Sequence, residues 1–545
     1  MKNNSKHNRI ARRAFLTAIG RAAGGAAMLK TMAAMGLGAA ATACGSSSAG
    51  TGAPNNPGGP APQPAPPSPR PGDWPANAGV GKSVVILGGG IAGMTTAFEM
   101  QKLGYDCSIL EATAAAGGRN RTLRSGDTAT EWDSTQVCMF DVDEDLYFNP
   151  GPARIPHHHE FLLGYCREFG VALETFVNDN RAALLHSPQA FGGQPQIARR
   201  VIADTRGNIA RLLATAVNQN ALDQELSATD RTNILAMLRE YGDLDNSFNY
   251  TGTERAGFPG QESVGSRQRG ELVDPLQLKT LISDTFWQLR QDYSEGLEQQ
   301  PTMLQPVGGM NRIARAFEAQ VSANLVFEAV VTEIRKITDG VSVVYDDGLG
   351  VPMQLEADYC VCTIPATVLR SIANDFSAAH AAAIAGFNYA SAGKLAFQSR
   401  RFWEQDHNIY GGISWTTQDI TQIWYPNNAF GKANGILLGA YTFGGASGNT
   451  FTSQSPQQRI DASIAQAAAL HAGFGNEVGQ GISVAWAKVP FQLGAWGTSD
   501  PGILLTPDDG IFFAGEHLSI LQSWQEGAIL SAYHAIDGIV ARDSA

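Results

Sequence analysis

SVVILGGGIAGMTTAFEMQKLGYDCSILEATAAAGGR, residues 83–119, decides the fold. Val84, Val85, Ile86 and Leu87 form a continuous apolar run, as a strand buried on both faces does. Gly88, Gly90 and Gly93 follow at G-x-G-x-x-G spacing and open a helix through Met94, Ala97, Phe98 and Met100. The first glycine permits a tight turn, the second lets a pyrophosphate approach the backbone, and the third lets helix and strand pack closely. Ile91 and Ala92 begin the helix, whose unpaired N–H groups and positive dipole end suit phosphates. The next apolar strand, Cys107 to Leu110, ends at Glu111, where a carboxylate can accept the hydroxyls of an adenosine ribose. A lone glycine fingerprint is weak. Here strand, helix, second strand and acid all fall in order, which predicts a dinucleotide.

Just beyond Glu111 stands Gly117-Gly118-Arg119. In flavoproteins with two dinucleotide-binding domains, such a turn brings an arginine and more N–H groups to the FAD pyrophosphate. Gly118 and Arg119 therefore point to FAD rather than NAD.

The residues before this domain read as targeting sequence. Arg12-Arg13-Ala14-Phe15-Leu16 resembles a twin-arginine export signal, and an apolar, small-residue stretch runs over 31–43. That stretch is shorter than the roughly 20 residues of a spanning helix, and Lys30 bounds it, so it reads as a signal h-region. Cys44 follows Ala41-Thr42-Ala43. Both a lipid anchor at Cys44 and ordinary cleavage at Ala-x-Ala fit. Residues 45–81, rich in Pro, Gly, Ala and Ser, form a stalk. Export places the chain in the periplasm, on a membrane as a lipoprotein, or in the medium.

About 465 of the 545 residues follow the signal and stalk, enough for two or three packed layers. Formal charge is −12, and removal of residues 1–43, with seven Lys or Arg and no acid, takes it to −19. This argues against nucleic acid or an anionic membrane as partner. Nothing beyond the signal reads as a membrane span. Of the remaining cysteines, Cys107, Cys360 and Cys362 sit in apolar strand patterns and read as buried thiols. His157-His158-His159 looks like a metal tract, but adjacent residues fan around a helix, and a solvated first turn is the plainer expectation.

From Pro156 to Tyr241 the periodicity is helical, with Ser227 and Asp230 as a capping pair. Residues 261–268 read as a polar loop. Strand signals return over 325–334, 341–345 and 359–363, and residues 394–399 and 436–443 read as strands of a second sheet. Ser455-Pro456 caps a further helix, which Gly473 would end. A strand over 510–514, the turn Gly515-Glu516 and a helix from Gly527 to about Arg542 close the chain.

Together Gly88/Gly90/Gly93, Glu111, Gly117-Gly118-Arg119, Gly308-Gly309-Met310 and Phe513-Ala514-Gly515-Glu516 resemble the flavin amine oxidases, most of all the bacterial and snake-venom-type L-amino-acid oxidases. The resemblance spans 83–542 and implies a discontinuous α/β, two-dinucleotide-domain (Rossmann-like) FAD-binding fold with a mixed-sheet substrate domain and an inserted helical subdomain. The expected division is signal 1–43, stalk 44–80, FAD-binding parts 81–150, 301–370 and 481–545, substrate-domain start and helical block 151–300, and substrate domain 371–480.

Gly151-Pro152-Ala153-Arg154 resembles the family's G-P-x-R motif, whose arginine grips the substrate carboxylate. A guanidinium fork suits that task at any working pH. Lys394 resembles the lysine that holds a water beside flavin N5. Tyr425 resembles the tyrosine giving the carboxylate a second hydrogen bond, with Trp424 then in the core. Trp524 resembles the aromatic wall beside the flavin, Glu516 the acid of the ribityl or pyrophosphate region, and Val331 the residue whose backbone meets adenine. The implied reaction is oxidation of L-amino acids by O₂ to 2-oxo acids, ammonia and H₂O₂. Amine or polyamine oxidation, a 2-monooxygenase giving amides, and a flavin-binding lipoprotein without turnover stay as alternatives, and a homodimer is left open. The pocket wall is expected from the helical block and residues 403–424, favouring large apolar or aromatic side chains, or with an acid from 141–145 a basic one.

Overall fold

The computed structural model describes residues 74–544 except 223, 259–269, 284–285 and 290. The twin-arginine stretch, Cys44, nearly all of the stalk and the polar loop at 261–268 lie outside the described residues. Within them, no helix is long and apolar enough to cross a membrane.

The glycine fingerprint sits in a five-stranded parallel sheet. Ser83–Leu87 pairs on one side with Asp106–Leu110, which pairs with Leu325–Val326, and on the other with Tyr359–Cys362, which pairs with Ile511–Phe513. Every strand of its centre is buried on both faces, as the unbroken apolar runs require. Helices Ile91–Lys102, Asn311–Val321 and Gln525–Asp543 cover one face through Met94, Phe317, Ile529 and Ile536. A meander of Val330–Ile337, Gly340–Asp346 and Pro352–Ala357 covers the other through Ile334, Val341 and Val343. The expected strand over 325–334 is thus two strands in two sheets. Leu325–Val326 extends the parallel sheet, and the chain turns at Glu328, with φ of 56°, before entering the meander.

The second large sheet has seven strands. Gly393–Arg400 runs antiparallel to Asn434–Thr442 on one side and Val478–Ala485 on the other, and Gln422–Trp424, Ile413–Thr416, Leu184–His186 and Gln196–Ile197 complete it. The boundary expected at 480/481 therefore falls inside a strand of this sheet. Met303–Pro306 likewise pairs with Ile155–Pro156 and Leu173–Phe176, so the 300/301 boundary gives way to a three-stranded sheet on the substrate side. Helix Pro456–Ala467 carries the Ser455/Gln458 capping box, but stops at Ala467, before Gly473. Its Arg459 reaches Glu131 of hairpin 128–137 in a buried bidentate pair, 2.6 and 2.9 Å.

The helical block forms as Glu160–Glu168, Ala198–Asn218 and Ala228–Gly242, the last with its Ser227/Asp230 capping box. The five described cysteines are free and buried.

Candidate active site

One cavity of about 1670 Å³ runs from the glycine fingerprint to the seven-stranded sheet. At its first end the walls are backbone. Gly88 holds φ at 105°, and a Cβ on Gly93 would lie 2.0 Å from the Gly88 carbonyl oxygen, so only glycine lets helix Ile91–Lys102 pack this close. A Cβ on Gly90 would meet nothing within 4 Å and would project into open space, the clearance a pyrophosphate needs. Ile91, Ala92, Gly118 and Val331 line the same end.

Glu111 ends its strand inside this cavity and is held by three donors: Gly89 N–H at 2.8 Å, Thr113 N–H at 2.9 Å and Thr113 Oγ1 at 2.7 Å. Arg119 donates to Glu516 at 2.8 Å, and Glu516 also accepts from Gly497 and Ser523 N–H, tying the two ends of the chain together. Gly515 lines the cavity with φ of 136°. Glycine clearance, helix N-terminus, ribose-competent carboxylate and arginine fit an FAD. The N-terminus of helix Gln525–Asp543 also meets the cavity, through Gln525 and Ala528. It starts two residues earlier than the sequence predicts.

At the other end the walls are side chains. Arg154 is 7% exposed and lies against Trp424, its guanidinium carbon 4.6 Å from the ring centre. Nη2 donates to the Tyr293 hydroxyl, while Nη1 is buried with no hydrogen-bond partner among the described residues. Three described arginines are buried: Arg154, Arg401 and Arg459. Arg401 pairs with Glu404 and Arg459 with Glu131, whereas no carboxylate among the described residues pairs with Arg154. A buried guanidinium without a carboxylate partner is costly, and an anion entering the cavity would offset that cost.

Lys394, 2% exposed, donates to the Gly151 carbonyl at 2.5 Å and the Asn149 carbonyl at 3.2 Å, fixing the turn that carries Arg154. Burial, aided by the Arg154 charge, pushes its pKa well below that of an ordinary lysine. Its Nζ sits 4.7 Å from the Tyr441 ring centre and 5.2 Å from that of Trp424. Trp524 lines the cavity and meets the edge of His159 at 5.2 Å.

Tyr425 is corrected. It is 1% exposed and lies behind the wall, where its hydroxyl pairs with Ser414 and His471, each at 2.7 Å. Trp424 faces the cavity instead. The hydroxyl beside Arg154 comes from Tyr293, which the sequence reading missed. Tyr441 was also missed, although it lies in a predicted strand and pairs in register with Lys394. No residue of helices Ala198–Asn218 or Ala228–Gly242 lines the cavity, and Trp403 is core. The acids at 141–145 are also elsewhere: Asp141 accepts from Gln398, and Asp145 from Lys432. Nor is the histidine tract a solvated first turn. It precedes helix Glu160–Glu168, and His159 is 1% exposed on its side chain.

Among relatives, the L-amino-acid oxidase of Echis ocellatus is 25% identical over 481 residues, covering 83% of this chain and 88% of the relative. The flavin-dependent L-tryptophan oxidase of Lentzea aerocolonigenes is 26% identical over 500 residues, covering 85% and 98%. Two solved structures share the fold. Cyclohexylamine oxidase from Brevibacterium oxydans IH-35A superposes with a TM-score of 0.55 at 16% identity, covering 85% of this chain and 100% of that one. Wild-type putrescine oxidase bound to putrescine gives 0.54 at 14%, covering 85% and 99%. The sequence pattern of the flavin-containing amine oxidoreductases matches residues 91–539, and with the FAD cradle at one end of the cavity and a side-chain chamber at the other, the chain belongs to that family of flavin-dependent oxidoreductases.

Proposed function

We propose that the chain is an L-amino-acid oxidase, converting L-amino acids and O₂ to 2-oxo acids, ammonia and H₂O₂. The observation that carries this is the buried Arg154, with no partner for Nη1 and no carboxylate of its own among the described residues. A substrate carboxylate supplies the missing anion through charge-assisted hydrogen bonds. A simple amine offers nothing to this group, and its ammonium form is repelled by it. The relatives named as amino-acid oxidases support the same reading.

Bound FAD supplies the hydride acceptor and the reaction with O₂. The chain's own residues do the rest. Arg154 and the Tyr293 hydroxyl hold the carboxylate, which places the amino acid against Trp424 and Tyr441. Burial lowers the Lys394 pKa, and the deprotonated amine can accept a proton from a water or an ammonium at Nζ. Trp424, Tyr441, Phe443 and Trp524 make an aromatic chamber suited to large apolar or aromatic side chains. We further propose, from the resemblance of Arg12-Arg13-Ala14-Phe15-Leu16 to a twin-arginine export signal, that this activity lies outside the cytoplasm.

The test is anaerobic bleaching of the flavin by a panel of L-amino acids, D-amino acids and amines, followed by product analysis in air. Reduction by L-amino acids with release of ammonia and 2-oxo acid is expected. Reduction by amines alone contradicts the proposal.

A further inference from the structure

At the rim of the cavity a turn meets a strap. The turn is His157-His158-His159, and the strap is residues 292–300, with short helical turns at Tyr293–Glu295 and Leu297–Gln299. Tyr293 of the strap reaches Arg154, and Glu298 reaches the turn. His158 Nε2 lies 3.1 Å from one Glu298 carboxylate oxygen, and His159 Nε2 lies 2.9 Å from the other. The candidate ligand atoms of all three residues lie within 4.8 Å of one another. Bonds of about 2.0–2.2 Å in a tetrahedron separate ligand atoms by roughly 3.3–3.6 Å, so small movements of these side chains admit an ion.

We propose that His158, His159 and Glu298 bind a divalent first-row transition ion of the zinc class, which clamps the strap to the turn across the cavity rim. Two imidazoles and a carboxylate are a zinc-type donor set with room for a fourth ligand, and ions that prefer all-oxygen shells are disfavoured. The side chains of His158 and Glu298 are 26% and 29% exposed, which gives the ion a route from solvent. Neither His158 nor His159 has a partner at Nδ1 among the described residues, so no second hydrogen bond fixes either tautomer. Each ring can turn an Nε2 lone pair to the ion and keep its proton on Nδ1. The chain's net charge of −12 also favours cations.

The clamp has a consequence for the site. The strap that carries Glu298 also carries Tyr293, and His159 meets Trp524 edge-on. A bound ion therefore ties three walls together and slows entry of substrate. That consequence rests on the cavity being the substrate site, whereas ion binding itself does not.

The probe is Zn²⁺, titrated calorimetrically into the FAD-loaded enzyme without substrate. One ion per chain is expected. Glu298→Gln and His158→Ala should each weaken binding by more than the roughly 10–100-fold that loss of an outer partner costs. Flavin absorbance and thermal unfolding confirm that both variants fold. Wild-type flavin reduction by an L-amino acid should slow with Zn²⁺, and reduction in the variants should not. No binding by wild type, or equal binding by both variants, overturns the site. Binding that leaves the reduction rate unchanged overturns the clamp. Because the heat of binding is read without substrate, failure of amino-acid oxidation leaves the ion result standing.

Discussion

The two ends of the cavity are built on different principles. At the cofactor end, glycine backbone and a helix terminus make the surface, and the side chains that matter, Glu111 and Glu516, are each oriented by three hydrogen bonds from their own chain. At the substrate end, side chains from distant segments converge, and one of them, Arg154, keeps an unsatisfied buried nitrogen. The first end is a finished cradle, and the second is finished only by what it binds.

The largest expected effect comes from breaking the cradle. Gly93→Val places a side chain 2.0 Å from the Gly88 carbonyl oxygen. It should cost about 3 kcal/mol in stability and abolish flavin retention. A lowered Tm and a colourless purified protein check it, and a stably yellow variant contradicts the packing argument.

Lys394→Met acts at the other end. It should reduce turnover by about 10²-fold. Wild-type activity should also rise with pH through the Lys394 pKa, well below the ordinary 10.5, because only the deprotonated amine accepts a proton. The variant should lose that limb of the pH profile.

Tyr293→Phe removes one hydrogen bond to Arg154. A loss near 1.5 kcal/mol should raise KM for amino acids about tenfold with kcat little changed. Equal losses in both constants would move Tyr293 from binding to the chemical step.

Outside the cavity the effects should fall on stability alone. Tyr425→Phe should leave kinetics unchanged and cost about 1 kcal/mol. Its partner His471 makes the fold acid-sensitive. Burial, then the nearby His407, lowers its pKa from 6.5 to about 3. As pH falls from about 6.5 towards 3, the unfolded chain takes up a proton that the folded chain refuses, so stability falls. His471→Gln should flatten acid unfolding in that window.

The contrast also explains what the sequence could show. Gly88, Gly90, Gly93 and Glu111 are legible because backbone geometry dictates residue type within one short segment. The parity at 424–425 is not. A shift of one residue exchanges the faces of a strand, and pairing of Trp424 with Ile413 and Leu438 decides it. Tyr293 lies in a short turn with no periodic signal, far along the chain from Arg154. Tyr441 could have been found from Lys394 had the register of the two predicted strands been known. The domain boundaries failed for the same reason, since Val478–Ala485 and Met303–Pro306 owe their sheets to distant partners.

Arg154, which no described carboxylate pairs, can be tested with two compounds that differ only by a carboxylate, L-phenylalanine and phenethylamine. Anaerobic flavin reduction by each should be followed in wild type and in Arg154→Ala. Wild type should prefer the amino acid strongly, and the variant should lose about 10²–10³-fold in apparent second-order rate for it, with no loss for the amine. Equal losses for both compounds, or an undiminished preference for phenylalanine, would contradict the account.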